Sequence, residues 1–94
     1  MNTKLRKTEV DQLFNAIMKL EDLDECYNFF EDICTVNEIQ SLSQRFEVAR
    51  MLRDNKTYVE IASKTGASTA TISRVNRSLN YGNDAIDLAI ERIK

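Results

Sequence analysis

"TYVEIASKTGASTATISRVNRSL", residues 57–79, is the stretch that decides the fold. Helical patterns lie on both sides of Gly66, which is the one glycine within it. Because glycine reaches positive φ without a Cβ clash, it lets a chain leave one helix sharply and enter another within about three or four residues. The stretch therefore predicts a short helix over 57–64, a turn at Gly66 and a second helix over 68–79.

The second helix of this pair has two different faces. Ile72, Val75 and Leu79 recur at steps of three and four, which places them on one buried face. Short side chains let the opposite face approach base edges closely, hydroxyls exchange hydrogen bonds, and arginine forks onto guanine or grips phosphate. The pattern predicts a helix-turn-helix that enters the major groove of DNA, and the alternative is an αα-corner that only packs. The residues left on the opposite face are Ala70, Ser73, Arg74 and Arg77, with Thr69 near the exposed N-terminus.

Short polar side chains followed three residues later by glutamate predict where helices begin. In such a capping box the first side chain accepts an amide hydrogen bond, and the glutamate reaches back to an earlier amide. Ser68 or Thr69 is expected to cap the helix after Gly66. Three pairs have the spacing of a capping box: Asp22 with Glu25, Thr35 with Glu38, and Thr57 with Glu60.

The absence of proline, the presence of only two glycines and the lack of sustained period-two patterning favour an all-α domain. A chain of 94 residues has the size of one domain. We therefore predict a single six-helix domain over 1–94. Its parts are N-terminal dimerisation helices over 8–34, a central helix over 36–55, the helix-turn-helix over 57–79, and a C-terminal helix over 83–93, with Gly82 as a stop and Asn83 as a new cap.

Apolar residues at steps of three and four mark the face that each of the first three helices is expected to bury. Arg45, Arg50 and Arg53 of the central helix are expected to project outward. Apolar stripes on both N-terminal helices of so short a chain predict a homodimer. The stripe residues are Val10, Leu13, Phe14, Ile17 and Leu20 in the first helix, Leu23, Cys26, Tyr27, Phe30 and Ile33 in the second, and Ile39, Leu42, Phe46, Ala49 and Leu52 or Arg53 in the central one.

Charge is divided unevenly along the chain, whose formal net charge is −2. Residues 1–40 carry four Lys or Arg against nine Asp or Glu, residues 41–81 carry seven against three, and residues 82–94 carry two against three. Electrostatic fields act within about a Debye length, so a partner of the helix-turn-helix meets the basic middle segment. That segment suits double-stranded DNA, and chance clustering on a solvated surface is the alternative.

Composition argues against several other classes of protein. The apolar runs are too short to span a bilayer, no signal-peptide pattern opens the chain, and two cysteines lack the density of a disulfide scaffold, so we predict a soluble cytoplasmic protein. Because the chain has no histidine, Cys26 and Cys34 are expected to be buried, inert thiols rather than metal ligands. Without histidine, a glycine-rich phosphate loop or a nucleophile motif, we predict no enzyme and no catalytic residue.

Residues 41–79, "SLSQRFEVARMLRDNKTYVEIASKTGASTATISRVNRSL", resemble the tryptophan repressor superfamily, and more closely its YerC/YecD-type branch. The similarity covers about residues 33–94 and is strongest at "ATISR", residues 70–74. The resemblance implies six helices in an intertwined homodimer, with a positioning helix over 57–64 and a reading helix over 68–79.

The resemblance also implies which side chains contact ligands. Thr69, Ala70 and Ser73 match positions that contact bases in the family, and the arginine positions that clamp a corepressor correspond to Arg45 and Arg74. Ser78 matches another ligand-contacting serine, which gives an effector pocket of Arg45, Arg74 and Ser78. The full set of predicted DNA contacts is Thr57, Ser68, Thr69, Ala70, Ser73, Arg74 and Arg77.

One departure from the family concerns the effector. Tryptophan-binding members have glycine directly after the reading-helix arginine, whereas this chain has Val75. The added carbons lie where the indole should slide, and overpacking of that order costs ~1–3 kcal/mol. The central helix is also one residue shorter between Arg45 and Thr57, which rotates Arg45 by about 100° if the helix is continuous. We therefore predict that any small-molecule corepressor is not tryptophan.

These observations together predict a homodimeric, sequence-specific transcriptional regulator, a repressor, that binds double-stranded DNA. A helical protein-interaction module without a specific operator is the alternative, because the acidic N-terminal helices also suit a protein partner. Arg74 and Arg77 have a further alternative role as ion-pair partners of Asp54 or Glu60. Neither a metal nor a membrane partner is predicted.

Overall fold

The computed structural model of the protein describes residues 3–94, and the first two residues of the predicted domain, Met1 and Asn2, lie outside the described part. Every regular element between these limits is helical, which confirms the all-α class with six α-helices. A 3₁₀ turn over Thr3–Leu5 precedes them. The helices are α1 (Thr8–Met18), α2 (Leu23–Ile33), α3 (Val36–Arg53), α4 (Tyr58–Thr65), α5 (Thr69–Tyr81) and α6 (Ala85–Ile93).

The chain divides into two compact units, with the boundary between Ile39 and Gln40. The N-terminal unit contains α1 and α2, and the C-terminal unit contains α4, α5, α6 and most of α3. Within residues 3–94, no helix is both long enough and apolar enough to cross a membrane.

The N-terminal unit has amphipathic helices without a buried residue. The predicted stripe is half-buried at Val10, Leu13 and Ile17 of α1 and at Leu20, which follows the helix, whereas Phe14 is 55% exposed. On α2 Leu23, Tyr27 and Ile33 of the predicted stripe are all more than half exposed. Apolar faces of this kind form the pattern that the sequence predicts, but the chain itself does not cover them.

Cys26 and Cys34 are free thiols in the N-terminal unit. Both are only half-buried, so the prediction of buried thiols was wrong. The reason is that α2 packs no residue into a closed core, so Cys26 on this helix and Cys34 at its C-cap both keep part of their surface in solvent.

The C-terminal unit contains the hydrophobic core. The stripe predicted on the second helix of the helix-turn-helix, Ile72, Val75 and Leu79, is confirmed as buried. In α3, Ala49 is buried as expected, but Leu42 is 52% exposed, and the fully packed positions include Val48 and Met51, which the predicted stripe omits. The second half of α3 is thus enclosed on more than one side, which a single-stripe analysis does not anticipate. The core consists of Val48, Ala49, Met51, Ile61, Ala67, Ile72, Val75 and Leu79.

Three helix starts follow the predicted capping chemistry. Thr35 and Thr57 each accept from the glutamate amide three residues later, and each glutamate accepts from the threonine amide. Asp22 accepts from the Glu25 amide at 2.8 Å, but the Glu25 carboxylate accepts from the Glu21 amide rather than from Asp22. The reciprocal bond of a capping box is therefore displaced by one residue at α2.

Helix boundaries in the C-terminal unit differ from the prediction at several points; α5, for example, runs to Tyr81 rather than ending at Leu79. The central helix ends at Arg53 rather than at residue 55, because Asn55 adopts a left-handed φ of 61°. The last helix begins at Ala85 and its N-cap is Asp84, also at φ 61°, so Asn83 is not the cap. The Asp84 side chain makes no capping hydrogen bond.

Candidate nucleic-acid interface

The turn between α4 and α5 is the element that orients the candidate interface. Gly66 has φ 73°, and its amide donates to the Ala62 carbonyl at 2.9 Å. The Thr65 hydroxyl donates to the Ile61 carbonyl and accepts from the Ala67 amide. Gln44 of α3 donates through Nε2 to the Thr65 carbonyl at 3.1 Å. The turn predicted from Gly66 is therefore present, and α3 holds it in place.

The N-termini of α4 and α5 are both capped by hydroxyl groups. Ser68 is the cap of α5: its Oγ accepts from the Thr71 amide at 3.1 Å and donates to Thr71 Oγ1 at 3.1 Å. Thr57 caps α4 in a complete capping box. The backbone hydrogen bond from Thr57 to the Glu60 carboxylate lowers the pKa of Glu60, with a smaller contribution from the Thr57 side chain. Thr57 and Ser68, which are both predicted DNA contacts, therefore also cap the N-termini of α4 and α5.

The two faces of α5 are separated as the sequence predicts. Ile72, Val75 and Leu79 are between 0% and 4% exposed and belong to the core. The opposite side is open to solvent in the C-terminal unit. Its exposed residues include Thr69, Ala70, Ser73, Arg74, Arg77 and Ser78, with Tyr81 at the C-terminal end of the helix.

Arg45, Arg74 and Arg77 have no carboxylate partner among residues 3–94. The ion pairs in that part include those of Arg50 with Glu47, Arg53 with Asp87, and Lys94 with Glu91. Asp54 and Glu60, the alternative partners of Arg74 and Arg77, do not pair with them, and the Glu60 carboxylate serves the cap of α4. Three guanidinium groups are therefore available to anions from outside the chain.

Two cavities adjoin one another between α3 and α5, and Arg45, Arg74 and Val75 line both. The first cavity, of about 290 Å³, has walls of mixed polarity, and its other lining residues are Ser41, Gln44, Ala70 and Thr71. The second cavity, of about 300 Å³, has mainly apolar walls, and its other lining residues are Leu42, Phe46, Ser78 and Ile86.

The structure brings the three predicted effector residues, Arg45, Arg74 and Ser78, around the second cavity. Arg45 and Arg74 both line this cavity, although the shorter segment between Arg45 and Thr57 was expected to rotate Arg45. Val75 is 4% exposed and forms part of the wall that the two cavities share. Its side chain fills space at the arginine pair that glycine would leave open.

Sequence reasoning missed the contacts of Arg53, which was expected to project outward. Its Nε donates to Asp87 Oδ1 at 2.7 Å, and its Nη2 donates to Asp87 Oδ2 at 2.9 Å and to the Leu79 carbonyl at 3.1 Å. The Asp87 side-chain hydrogen bond is the main cause that raises the pKa of Arg53. Because 34 residues separate Arg53 from Asp87, no local signal could have revealed the pair.

Two short helices that meet at a left-handed glycine, the second with an exposed face of small side chains and arginines, define a helix-turn-helix protein of the DNA-binding type. The model of the Trp repressor protein family matches residues 8–94. The chain therefore belongs to the Trp repressor family, a family of transcription regulators rather than of enzymes.

Three relatives support this assignment. The Uncharacterized protein YerC of Bacillus subtilis (strain 168) is 67% identical over 91 residues, which cover 97% of this chain and 88% of YerC. The crystal structure of a TrpR like protein from Eubacterium eligens ATCC 27750 has a TM-score of 0.95 and 70% identity, with 98% of this chain and 95% of the other covered. A crystal structure from Staphylococcus aureus, provisionally assigned as a Trp repressor, has a TM-score of 0.95 and 56% identity, with 99% and 94% covered.

Proposed function

We propose that the protein is a sequence-specific transcriptional regulator, a repressor, that inserts α5 into the major groove of double-stranded DNA. One observation above all supports this proposal: α5 buries Ile72, Val75 and Leu79 while its small and cationic residues stay exposed and unpaired. A helix with such a face fits the groove, whose width accommodates one helix. The proposed place of action is the cytoplasm of the cell that holds the operator.

The proposed contacts differ in role along α5. Thr69, Ala70 and Ser73 lie at its N-terminal end and are proposed to meet base edges, directly or through water. Arg77, one turn further, is proposed to contact phosphate. Thr57 and Ser68 are proposed to lie beside the DNA backbone, where they also hold the first turns of α4 and α5.

The proposed regulator is a homodimer in which α1 and α2 of two copies cover each other. The support is the set of exposed apolar residues on these helices, among them Phe14, Met18 and Tyr27. A monomer rarely leaves so many large apolar side chains in contact with solvent. Two copies present two α5 helices, which suits a pseudo-palindromic operator with half-sites ~34 Å apart. If the protein sediments at micromolar concentration as a 10.8 kDa monomer, this arrangement is excluded.

Selection of duplexes from a random pool tests the DNA-binding proposal. We expect an enriched pseudo-palindrome from the unaltered protein and a changed preference at one position of each half-site from Ser73→Ala, because base contacts specify and phosphate contacts do not. Arg77→Ala is expected to enrich the same sequence with lower affinity for every duplex. Arg50→Ala is the matched control, since it removes one exposed arginine outside the helix-turn-helix. A pool that shows no enrichment contradicts the proposal.

Arg45, Arg74 and Ser78 are proposed as an effector site. Two guanidinium groups without an internal partner suit one anionic group, and the neighbouring walls of Leu42 and Phe46 suit a compact apolar body. Because Val75 fills part of the space, tryptophan is not the proposed effector. Calorimetric titration with tryptophan is expected to give no saturable heat, and micromolar, saturable uptake contradicts this point.

A protein-interaction module is the second candidate function. It is favoured by the acidic segment over residues 1–40 and by the uncovered apolar faces of α1 and α2. DNA affinity separates the two candidates, because neutralised phosphates release counterions and make binding fall steeply with salt. Absent or salt-independent DNA binding supports the interaction module.

A further inference from the structure

We propose that an anion bound at the effector site lowers the affinity of the protein for DNA, so that the effector acts as an inducer. The residue that couples the two sites is Arg74, which belongs both to the predicted DNA contacts and to the proposed effector site. This inference rests on the proposed function, because it assigns the direction in which the effector changes DNA binding.

Arg74 lies in the middle of one row of side chains along α5. Ala70, Arg74 and Ser78 are spaced four residues apart, so each lies one turn from the next on the same face. Ala70 is at the end of the helix that is proposed to meet bases, and it lines the cavity of mixed polarity. Ser78 is at the other end of the row and lines the apolar cavity. Because an arginine stem has several rotatable bonds, the Arg74 guanidinium can serve either end.

The same two arginines line both cavities. Arg45 and Arg74 border the cavity of mixed polarity together with Thr71, and they border the apolar cavity together with Ser78. Both arginines are exposed, and neither pairs with a carboxylate within residues 3–94. A DNA phosphate beside the first cavity and an effector anion in the second therefore depend on the same positive charges.

This sharing makes the phosphate and the effector anion competitors. A guanidinium makes its strongest contact when its fork is directed at one anion, and a second anion close by is repelled by the first. The coupling is reciprocal, so the effector weakens DNA binding by the factor by which DNA weakens effector binding. An anion held beside Ser78 thus costs α5 the phosphate contact of Arg74.

The position of α5 does not depend on the effector. Val75 is 4% exposed and belongs to the same core as Ile72 and Leu79, so residues of the chain itself fix the helix that is proposed to meet DNA. Ser68 caps its first turn. Because the DNA-binding face is already built, the effector changes affinity through the charges of that face. The expected direction is a loss of affinity.

A carboxylate fixed beside Arg74 tests the inference without an identified effector. Ser78→Glu places this carboxylate one turn from Arg74, and Ser78→Gln has nearly the same shape without the charge. Asn80→Glu is the matched control, because it adds the same charge to an exposed position of α5 that lines neither cavity. Thermal unfolding of each variant verifies that it is folded.

The measurement is the anisotropy of a labelled duplex from the selected pool, titrated with dialysed protein at several salt concentrations. We expect the unaltered protein to bind without an added small molecule. We expect Ser78→Glu to bind about tenfold more weakly than Ser78→Gln, with a salt slope smaller by about 1, because one charged phosphate contact is lost. Asn80→Glu is expected to lose less than about threefold, because solvent and salt screen its charge.

A double-variant cycle identifies Arg74 as the group that the carboxylate diverts. Arg74→Gln alone is expected to bind about as weakly as Ser78→Glu, again by about tenfold. Addition of Ser78→Glu to Arg74→Gln is expected to cause no further loss, because the contact that the carboxylate removes is already absent.

Four results overturn the inference while the proposed function stands. They are equal affinities of Ser78→Glu and Ser78→Gln, a loss for Asn80→Glu as large as that for Ser78→Glu, additive losses in the double variant, and binding by the dialysed protein only after a small-molecule extract is added. The last result makes the effector a corepressor. If the unaltered protein binds no duplex under either condition, the proposed function itself fails, and this inference fails with it.

Discussion

The two units of the molecule bury apolar residues to very different degrees. The C-terminal unit encloses eight residues in its core, and the largest of its fully buried side chains are Ile61, Ile72 and Val48. In the N-terminal unit, α1 and α2 enclose none, although both helices are strongly amphipathic. The helix-turn-helix is therefore built on a core that its own chain completes, whereas α1 and α2 leave large apolar side chains exposed.

The largest expected effect lies in the core of the C-terminal unit. Ile61→Ala removes a fully buried side chain of α4, and we expect the free energy of unfolding to fall by about 2–5 kcal/mol. Val59→Ala, on the same helix at 80% exposure, is the matched control and is expected to change it by less than about 0.5 kcal/mol. Urea titration measures both. Equal losses contradict the placement of the core.

A smaller loss is expected at the turn. Gly66→Ala places a Cβ at φ 73°, which costs about 1–2 kcal/mol, and the new atom meets nothing within 4 Å, so the loss comes from the backbone alone. Gly66→Asn is expected to lose less, because asparagine tolerates left-handed backbone better. Thermal unfolding ranks the three proteins. Indistinguishable midpoints for glycine and alanine contradict the left-handed turn.

Substitutions in the N-terminal unit are expected to weaken the association of two copies rather than to destabilise the core. Tyr27→Ser removes an exposed apolar side chain from α2, and we expect about tenfold weaker dimerisation with unchanged core hydrogen exchange. Tyr81→Ser, at 85% exposure in α5, is the matched control without effect on dimerisation. Analytical ultracentrifugation over a concentration series measures both. Equal weakening of dimerisation by the two substitutions contradicts the assignment of association to the N-terminal unit.

The smallest effect concerns the pH dependence of the α6 contact. The Arg53 side-chain hydrogen bond holds the pKa of the Asp87 carboxyl below its ordinary value of 3.8. Because the folded pKa is lowered, the stabilisation is fully present above the ordinary value and is lost as the pH falls through the lowered one. We expect an NMR titration of the Asp87 carboxyl carbon to show this, and Arg53→Met to return the pKa toward 3.8. An unchanged pKa in the variant contradicts the pair.

The features that sequence reasoning predicted are those set by local interactions. A left-handed glycine, a serine cap and a threonine–glutamate capping box involve residues no more than three or four apart, so their spacing is visible in the chain. The burial of Ile72, Val75 and Leu79 follows from helical periodicity in the same way. The fold class and the exposed face of α5 could therefore be derived before any coordinates.

The features that sequence reasoning missed depend on long-range packing. The enclosure of Val48 and Met51 requires neighbours on several sides of α3, and the Arg53 and Asp87 pair joins positions far apart in the chain. α6 begins later than predicted because Asp84 adopts a left-handed backbone conformation. Asparagine and aspartate both adopt this conformation, so the sequence did not show whether residue 83 or residue 84 would take it.

The central claim is that the open side of α5 grips DNA while its aliphatic side remains in the core. The most direct test is the anisotropy of a fluorescent operator duplex, titrated with protein over a series of salt concentrations. We predict saturable binding whose logarithmic affinity falls linearly with the logarithm of salt, and a slope smaller by about 1 for Arg77→Ala than for Arg50→Ala. No saturable binding, or identical slopes for the two variants, contradicts the claim.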